Sequence, residues 1–490
     1  MIGLYDAAEI RAAEAPVLAA TPEGALMQRA ATGLATVCVR LLGAVYGRRV
    51  VLLVGTSNNG GDALFAGTSL ARRGARVTAV LLDADRAHPA GLQALRRAGG
   101  RVLVAGTHDV ATVIGRAELL LDGMLGIGGR GGLRADAAEL ARLAGGSAAV
   151  TVAVDVPSGV DADTGAVGES AFPAMHTVTF GAVKAGLVVG EGRGYAGEIH
   201  LIDIGLDPYL PPATAFRLTD TDVAARLDPP SASDDKYSQG VVGIVAGSAT
   251  YPGAAVLCTG AALRTRPGLV RYAGTAGDGV RAAWPEALVT DGRPGDAGRV
   301  QSWVVGPGMG TDDDARSLLA EVLATDLPVV VDADALTMLV GDAALVRGRV
   351  ASTLLTPHDR EFARFGAEPG ADRVGAARRL AADLGCTVLL KGDATVVAGP
   401  GGTAFVNATG TPWLATAGTG DVLAGIVGAL LATGLEAALA GAVAAHLHGR
   451  AGQLAAERGP LLAGDLVRRL PEAIGRVRGL PAAGLGHSSA

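Results

Sequence analysis

The chain is poor in several residue types, and each shortage excludes something. Among its 490 residues are three cysteines, Cys38, Cys258 and Cys386, far apart and forming no CxxC pair. Three thiols cannot pair off completely, so buried or bystander cysteines in a reducing, cytoplasmic setting are expected rather than a disulfide framework. Aromatic residues make up 3%, too few for an aromatic-rich β-sandwich; with 73 glycines the composition points to parallel sheets, helices and tight loops. No Lys/Arg cluster stands out and the formal net charge is −6. A nucleic-acid partner is disfavoured, because phosphate backbones demand a basic footprint. Backbone N–H groups can still bind anionic cofactors. The N-terminus carries Asp6, Glu9, Arg11 and Glu14, which no signal peptide would. The most apolar stretch, from Val422 to Leu447, is interrupted by Glu436, His446 and several glycines. It reads as buried core helices rather than a membrane span.

What is present is a large apolar fraction, 49% of residues, in a chain long enough for two or three cores. A helical pattern runs from about Asp6 to Tyr46. RVVLLVG, a Gly/Asn loop, a helix from about Ala63 to Arg73 and RVTAVLL then form a βαβ unit. AELLLDGM, VTVAVDVP, TVTFG and EIHLIDIG continue the rhythm, each ending in Gly, Asp or Pro. Strands alternating with helices imply a mostly parallel sheet covered on both faces. DPYLPPAT and DPPSASDD, rich in Pro, Ser and Asp, suggest a linker; GVVGIVAGS restarts the pattern. The expected division is a first domain over 1–212, a linker over 213–232, a second domain over 233–480 and a flexible tail over 481–490.

In the first half, VGTSNNGGDALFAG lies between a strand and a helix, where unpaired N–H groups can meet an anion and glycine lets a ligand approach the backbone. Asp62 can orient that loop, bind a ribose hydroxyl or merely cap the helix. LLLDGMLGIGGRGGL places Asp122 at one strand end, and AVDVPSGVDADTG places Asp155 and Ser158 at another. In open α/β sheets such ends line the ligand crevice. Oxygen ligands from Asn59, Asp122 and Ser158 would suit a hard cation, although cap and ligand readings weigh equally for each aspartate. Lys184 is the lone cation in an apolar stretch; it could be a proton shuttle or a snorkelling surface residue, and the sequence alone favours the surface reading.

Taken in order, MQRAATGLA, NNGGDALFAG, LLLDGMLGIGGRGGLR, AVDVPSGVDADTG, TVTFGAVKAGL and LIDIGL resemble the NAD(P)HX epimerase family, the YjeF N-terminal domain, over about residues 1–212. The resemblance implies a Rossmann-like three-layer fold and a bound K⁺ held by Asn59, Asp122 and Ser158. It also implies Asp155 and Lys184 as the acid/base pair. The hydrated cofactor would be held by Asn58, Asn59, Gly60, Gly61, Asp62 and Asp155, together with Gly126, Ile127, Gly128, Gly129, Arg130, Gly131 and Gly132. Ala63 stands where a glycine is usual, and Ile127 and Gly129 vary within the glycine loop, which bears on cofactor positioning. The chemistry is reversible loss of the C6 hydroxyl from a carbinolamine and re-addition from the other face. A positioned acid and base speed such steps typically ~10²–10⁴-fold.

In the second half, AGTGD precedes VLAGIVGALLATG, so Gly418 and Gly420 open a helix N-terminus that acts as an anion hole. Asp421 in its first turn could take a proton from a hydroxyl attacking a phosphoryl group, or simply favour the helix dipole. Lys391 ends a strand before a tight turn, and His358 follows TLLTP; neither is decisive alone. Asp332 and Asp334 could be ligands, caps or neither. KYSQGVVGIVAGSATYPGAAVLCTGAALRT, VVGPGMG, VVVDADALTML, LLTPHDREF, LLKGDATVV and GTPWLATAGTGDVLAG are together similar to the ADP/ATP-dependent NAD(P)HX dehydratase family, within the ribokinase-like superfamily, over about 233–480. The resemblance implies a ribokinase-like α/β/α domain. Ala254, Gly310, His358 and Asp421 would meet the hydrated cofactor. Lys391, Gly392, Asp393, Ala394, Thr395 and Gly420 would hold ADP or ATP with Mg²⁺. Arg360 departs from the family pattern, where glycine is usual. The expected partners are NADHX or NADPHX and the nucleotide, with no nucleic acid and no membrane; a homo-oligomer is expected. An ordinary small-molecule kinase and a YjeF-like scaffold are the competing readings.

Overall fold

The computed structural model describes residues 1–129, 131–266, 268–457 and 459–480. Arg130 and the segment 481–490, expected respectively as a ligand contact and a flexible tail, lie outside the described residues. The chain divides into two compact units. One covers Gly3–Ala213, and the other begins at Thr214 and includes Met1–Ile2.

The first unit is built on strands β1 (Ile2–Tyr5), β2 (Arg49–Val54), β3 (Arg76–Leu81), β4 (Arg101–Val104), β5 (Leu119–Gly123), β6 (Val150–Val154), β7 (His176–Phe180), β8 (Val183–Lys184) and β9 (Glu198–Ile202). Seven of them form a parallel sheet in the order β4-β3-β2-β5-β6-β7-β9. β1 pairs separately with β8, aligning Tyr5 with Lys184. Central strands such as RVVLLV are apolar without alternation because both faces are covered. Val50, Leu52 and Val54 pack with helices Ala7–Ala20, Ala25–Leu42 and Asn58–Arg72, and Val51 and Leu53 with helix Ala135–Gly145 on the opposite face. The layers are therefore helix, sheet, helix, as expected.

The N-terminal helical pattern resolves into two helices. The first has an Asp6/Glu9 capping box, and Gly24 and Gly43, both left-handed, bracket the second. The next helix begins at Asn58, earlier than its apolar pattern suggested, so NNGGD is its first turn rather than a loop. Glycine makes this possible: a Cβ on Gly60 would lie 2.4 Å from the Gly55 carbonyl oxygen.

The second unit carries β10 (Ala215–Arg217), β11 (Val241–Val245), β12 (Leu269–Ala273), β13 (Leu288–Thr290), β14 (Ser302–Val305), β15 (Val329–Val331), β16 (Thr353–Leu355), β17 (Thr387–Leu390), β18 (Thr395–Ala398) and β19 (Ala404–Asn407). They are ordered β13-β12-β11-β14-β15-β16-β17-β18-β19-β10. The sheet is parallel from β13 to β17, antiparallel at β17-β18 and β18-β19, and parallel again at β19-β10. Helices Thr419–Leu431 and Ala437–Ala456 lie in its core, which explains the apolar run from Val422 onward. Among the described residues no helix is long and apolar enough to cross a membrane.

The segment expected as a linker is corrected by this arrangement. β10 lies inside 213–232 and pairs with β19, and Leu218, Val223 and Leu227 are buried in the second unit's core. Its Pro, Ser and Asp content reflects turns and the Thr219/Asp222 capping box rather than a tether.

Candidate active sites

In the first unit the chain runs outward from β2 to β4 and then returns to place β5 on the other side of β2. A crevice opens at the C-terminal ends of strands where the order reverses in this way. The loops after β2 and β5 meet there, and a cavity of about 1190 Å³ follows, lined by Asn58, Asn59, Asp62, Gly126, Ile127, Gly128, Gly129, Asp155 and Lys184 among others.

Asp155 directly follows β6 and has φ 69°, a left-handed backbone that aspartate tolerates better than most residues. Its Oδ1 accepts from Lys184 Nζ at 2.5 Å, from the Phe180 N–H at 3.1 Å and from Thr179 Oγ1 at 3.2 Å. Lys184 is 1% exposed and also donates to Thr179 Oγ1 and the Phe180 carbonyl. The surface reading of this lysine is thus overturned: pairing of β8 with β1 draws it inside, where the carboxylate compensates its charge.

Two further carboxyls face this pair. Burial, and then the charges of Asp155 and Glu14, hold Asp62 well above the carboxylate range, and its Oδ1 is buried without a hydrogen-bond partner. Glu14 is raised mainly by burial and next by Asp155, against the pull of Lys184 and Arg11. Asp62 and Glu14 thus hold protons more readily than ordinary carboxyls beside the Asp155–Lys184 pair, an environment suited to acid/base chemistry. Glu14 and Arg11 were missed in the sequence. Their only signal was charge at helical spacing in an otherwise alanine-rich helix.

Asp122 is completely buried. Its oxygens accept from the Ser158 N–H at 2.8 Å, Ser158 Oγ at 2.7 Å and the Met124 N–H at 3.2 Å. No cationic side chain is among these partners, and burial pushes it up to about 6 despite those bonds. Asn59 lies close by, its Nδ2 donating to the Val154 and Leu125 carbonyls. Gly60, Gly61, Gly131 and Gly132 do not line the cavity. Gly60 and Gly61 allow close packing, and Gly132 abuts Gly168. Ala63, where a glycine is usual, faces Gly123 on β5 rather than the cavity: a Cβ on Gly123 would lie 2.7 Å from the Ala63 Cβ.

The second unit has its own reversal, between β11 and β14. Asp332 follows β15, His358 follows β16, Lys391 follows β17, and helix Thr419–Leu431 begins beside them. Lys391 Nζ donates to Asp332 Oδ1 at 2.9 Å and lies 3.6 Å from Glu361 Oε2. Burial alone would lower Lys391, but the two carboxylates outweigh it and raise it. Thr356 Oγ1 also donates to Asp332 at 2.6 Å. A Cβ on Gly420 would lie 3.6 Å from Lys391 Nζ, so the lysine reaches the helix N-terminus. Burial, and then Asp332, push Asp421 up to about 7 against the lowering effect of Lys391.

His358 caps the short helix Asp359–Ala363 through its ring, Nδ1 accepting from the Glu361 N–H at 3.1 Å. Gly310 donates its N–H to Asp334. Ala254 meets the left-handed turn at Gly308. Arg373 donates to Asp359 and to the Lys391 carbonyl, next to Gly392. The Asp393 carbonyl lies against Gly410, Ala394 is buried, and Thr395 opens β18, so the turn after Lys391 is a tight hairpin. Arg360 is exposed. Sequence reasoning left Asp332 undecided and missed Glu361. Their signals were a lone acid after VVV and an acid three residues beyond His358.

Two α/β units, each with a lysine–carboxylate pair and a glycine-opened helix N-terminus beyond the C-terminal ends of its strands, define a two-domain α/β enzyme. The family described as "YjeF-related protein N-terminus" matches residues 23–186, and that described as "NAD(P)H-hydrate dehydratase" matches 242–474. The chain is 52% identical to the bifunctional NAD(P)H-hydrate repair enzyme Nnr of Mycobacterium tuberculosis over 411 residues, 83% of this chain and 84% of that protein. It belongs to the bifunctional NAD(P)H-hydrate repair enzyme family. An NAD(P)H-hydrate epimerase of Clavibacter michiganensis is 48% identical over 214 residues, 41% of this chain and 90% of that one. The ADP/ATP-dependent NAD(P)H-hydrate dehydratase of Bacillus subtilis, co-crystallised with ATP/Mg²⁺, superposes with a TM-score of 0.47 at 28% identity, covering 53% of this chain and 97% of that chain.

Proposed function

We propose that the first unit interconverts the R and S forms of hydrated NADH and NADPH, and that the second converts the S form back to NAD(P)H using ADP or ATP. Family membership supports both activities, and one observation carries the division of labour. Each unit has its own ionisable cluster beyond the C-terminal ends of its own strands, Asp155–Lys184 in one and Asp332–Lys391–Asp421 in the other.

In the first unit, Asn58, Asn59, Asp62 and residues 126–129 hold the hydrated cofactor in the cavity. Lys184 protonates the departing C6 hydroxyl, and Asp155 takes the proton of the water that re-adds from the other face. A potassium ion fits beside Asp122, Ser158 and Asn59. Asp122 is a fully buried carboxylate whose hydrogen-bond partners, the Ser158 and Met124 N–H groups and Ser158 Oγ, are all neutral, and the oxygens of Asp122, Ser158 and Asn59 are the hard donors such an ion takes. The ion would supply the compensating charge that stiffens the two strand-end loops.

In the second unit, Asp421 accepts the proton of the C6 hydroxyl as its oxygen attacks the terminal phosphoryl group of the nucleotide. That transfer forms the C–O–P linkage and releases AMP from ADP, or ADP from ATP. The ring nitrogen then expels phosphate, a better leaving group than hydroxide, and loss of a C5 proton from the resulting iminium restores the dihydropyridine. Lys391 and the N–H groups at Gly420 receive the phosphates, and the turn from Gly392 to Thr395 frames the nucleotide. Ala254, Gly310 and His358 border the hydrated nicotinamide. Asp332, Glu361 and Asp421 leave a surplus of negative charge around Lys391, which suits Mg²⁺ arriving on the phosphates and neutralising them.

The test is the purified chain on mixed R and S NADHX with ADP or ATP, following recovery of the NADH absorbance. Complete conversion of both epimers is expected. Asp421→Asn should abolish nucleotide-dependent recovery and leave epimer exchange intact. Accumulation of a stable phosphorylated product in place of NADH would instead identify a kinase, and loss of both activities in that variant would contradict separate sites.

A further inference from the structure

The opposite end of the first sheet carries a group that neither activity uses. β7 and β9 both start there, and the register aligns His176 with Glu198 and Val178 with His200. Residues 176, 198 and 200 therefore share one sheet face, two rungs deep, at the N-terminal ends of the strands. The proposed catalytic residues sit at the C-terminal ends.

The three side chains converge. His176 Nδ1 lies 3.1 Å from His200 Nε2 and 3.4 Å from Glu198 Oε2, and one ligand atom from each residue falls within 4.8 Å of the others. A single hydrogen bond can bridge the two imidazoles, but it does not require the carboxylate oxygen to meet the same ring nitrogen. A tetrahedral cation does: with metal–nitrogen bonds of about 2.0–2.1 Å, neighbouring ligand atoms are about 3.3–3.4 Å apart. The two observed spacings bracket that edge. Both histidines are half-buried and thus held in place, while Glu198, with a side chain 67% exposed, leaves a side of the site open to water.

We propose that His176, His200 and Glu198 form a binding site for a borderline divalent cation, best matched by Zn²⁺, with water as fourth ligand. Two imidazoles and one carboxylate form a donor set for zinc-class ions rather than for Mg²⁺ or K⁺. The ion clips the edge strand β9 to β7. It is distinct from the potassium position at Asp122, which offers oxygen donors alone. Binding displaces any proton shared by the imidazoles, and no redox change is involved.

The experiment uses the full chain, stripped with a chelator and titrated with Co²⁺ as spectroscopic probe and with Zn²⁺ in competition. One Co²⁺ per chain, with the intense visible bands of a tetrahedral site and displaced by Zn²⁺, is expected. His200→Ala should weaken binding at least about 10-fold, and Glu198→Gln, whose exposed side chain makes it safe for folding, should weaken it too. Epimer exchange should be unchanged in both. Absence of tetrahedral bands, or binding that Glu198→Gln and His200→Ala leave intact, would reduce the cluster to a hydrogen-bonded pair and overturn the site.

Discussion

Lys391 gives its hydrogen bond to Asp332, at 2.9 Å, and not to Asp421. Asp421 receives no hydrogen bond from that ammonium, and burial with the charges of Asp332 and Asp334 pushes it up to about 7 against the pull of Lys391. A base in that range is half ionised at neutral pH, where its affinity for protons and its availability are balanced.

The pH dependence of dehydration follows. Asp421 must be ionised to accept the hydroxyl proton, so kcat/KM should rise with pH through about 7. Asp332→Asn removes the carboxylate that raises Asp421 and frees the Lys391 ammonium that lowers it; both effects move the limb to lower pH. Rates measured from about pH 5.5 to about 8.5 would check this, and a limb that stays put or moves alkaline would exclude Asp421 as the titrating base.

Lys184→Met keeps the length and removes the charge, leaving Asp155 buried beside no cation. Breaking a buried pair on one side costs about 3–5 kcal/mol, so the first unit should melt earlier. Epimer exchange should be lost while nucleotide-dependent dehydration of the S form persists. A folded variant that still equilibrates R and S, followed by chromatography of the two epimers, would remove Lys184 from the chemistry.

Asp122 links potassium to pH. Its folded-state value, about 6, lies above the ordinary 3.8, so ionisation is disfavoured in the folded protein. Stability is lost as pH rises from about 4 to about 6, by an amount on the order of 3 kcal/mol without a compensating cation. Potassium offsets that loss only once the carboxylate is ionised. Melting temperatures in potassium chloride and choline chloride should coincide near pH 5 and separate near pH 7.5, potassium being higher. Equal curves at both values would remove the ion from this site.

Gly420→Ala should separate stability from activity. The new methyl group would stand 3.6 Å from Lys391 Nζ, an ordinary contact in the nucleotide-free protein. Replacing a helical glycine with alanine stabilises by about 0.4–1 kcal/mol. The methyl would nevertheless occupy the ground where phosphate must approach the helix N–H groups. An unchanged or raised melting temperature with a markedly raised KM for nucleotide is expected; an unaltered KM would place the phosphates elsewhere.

Much of this was legible before the fold was known. Apolar runs ending in Gly, Asp or Pro located most strands of both sheets, because a parallel strand covered on both faces must be apolar throughout. Short strands escaped. β1, β8 and β10 have two to four residues, too few for a periodic signal, and each exists only through a partner distant in the chain. β10 turned an apparent linker into part of a sheet for that reason.

The sequence by itself determined the two βα rhythms, the glycine-opened strand ends and the identity of the acids and lysines beside them, since these follow from local backbone and side-chain chemistry. Only the tertiary structure decided that NNGGD is a helical turn, that Lys184 is buried against Asp155 and that Lys391 serves Asp332. It also brought two histidines and a glutamate together on one sheet face. Each of these depends on which distant segments lie side by side, and charge compensation in a low-dielectric interior acts over ångströms of space whatever the separation along the chain.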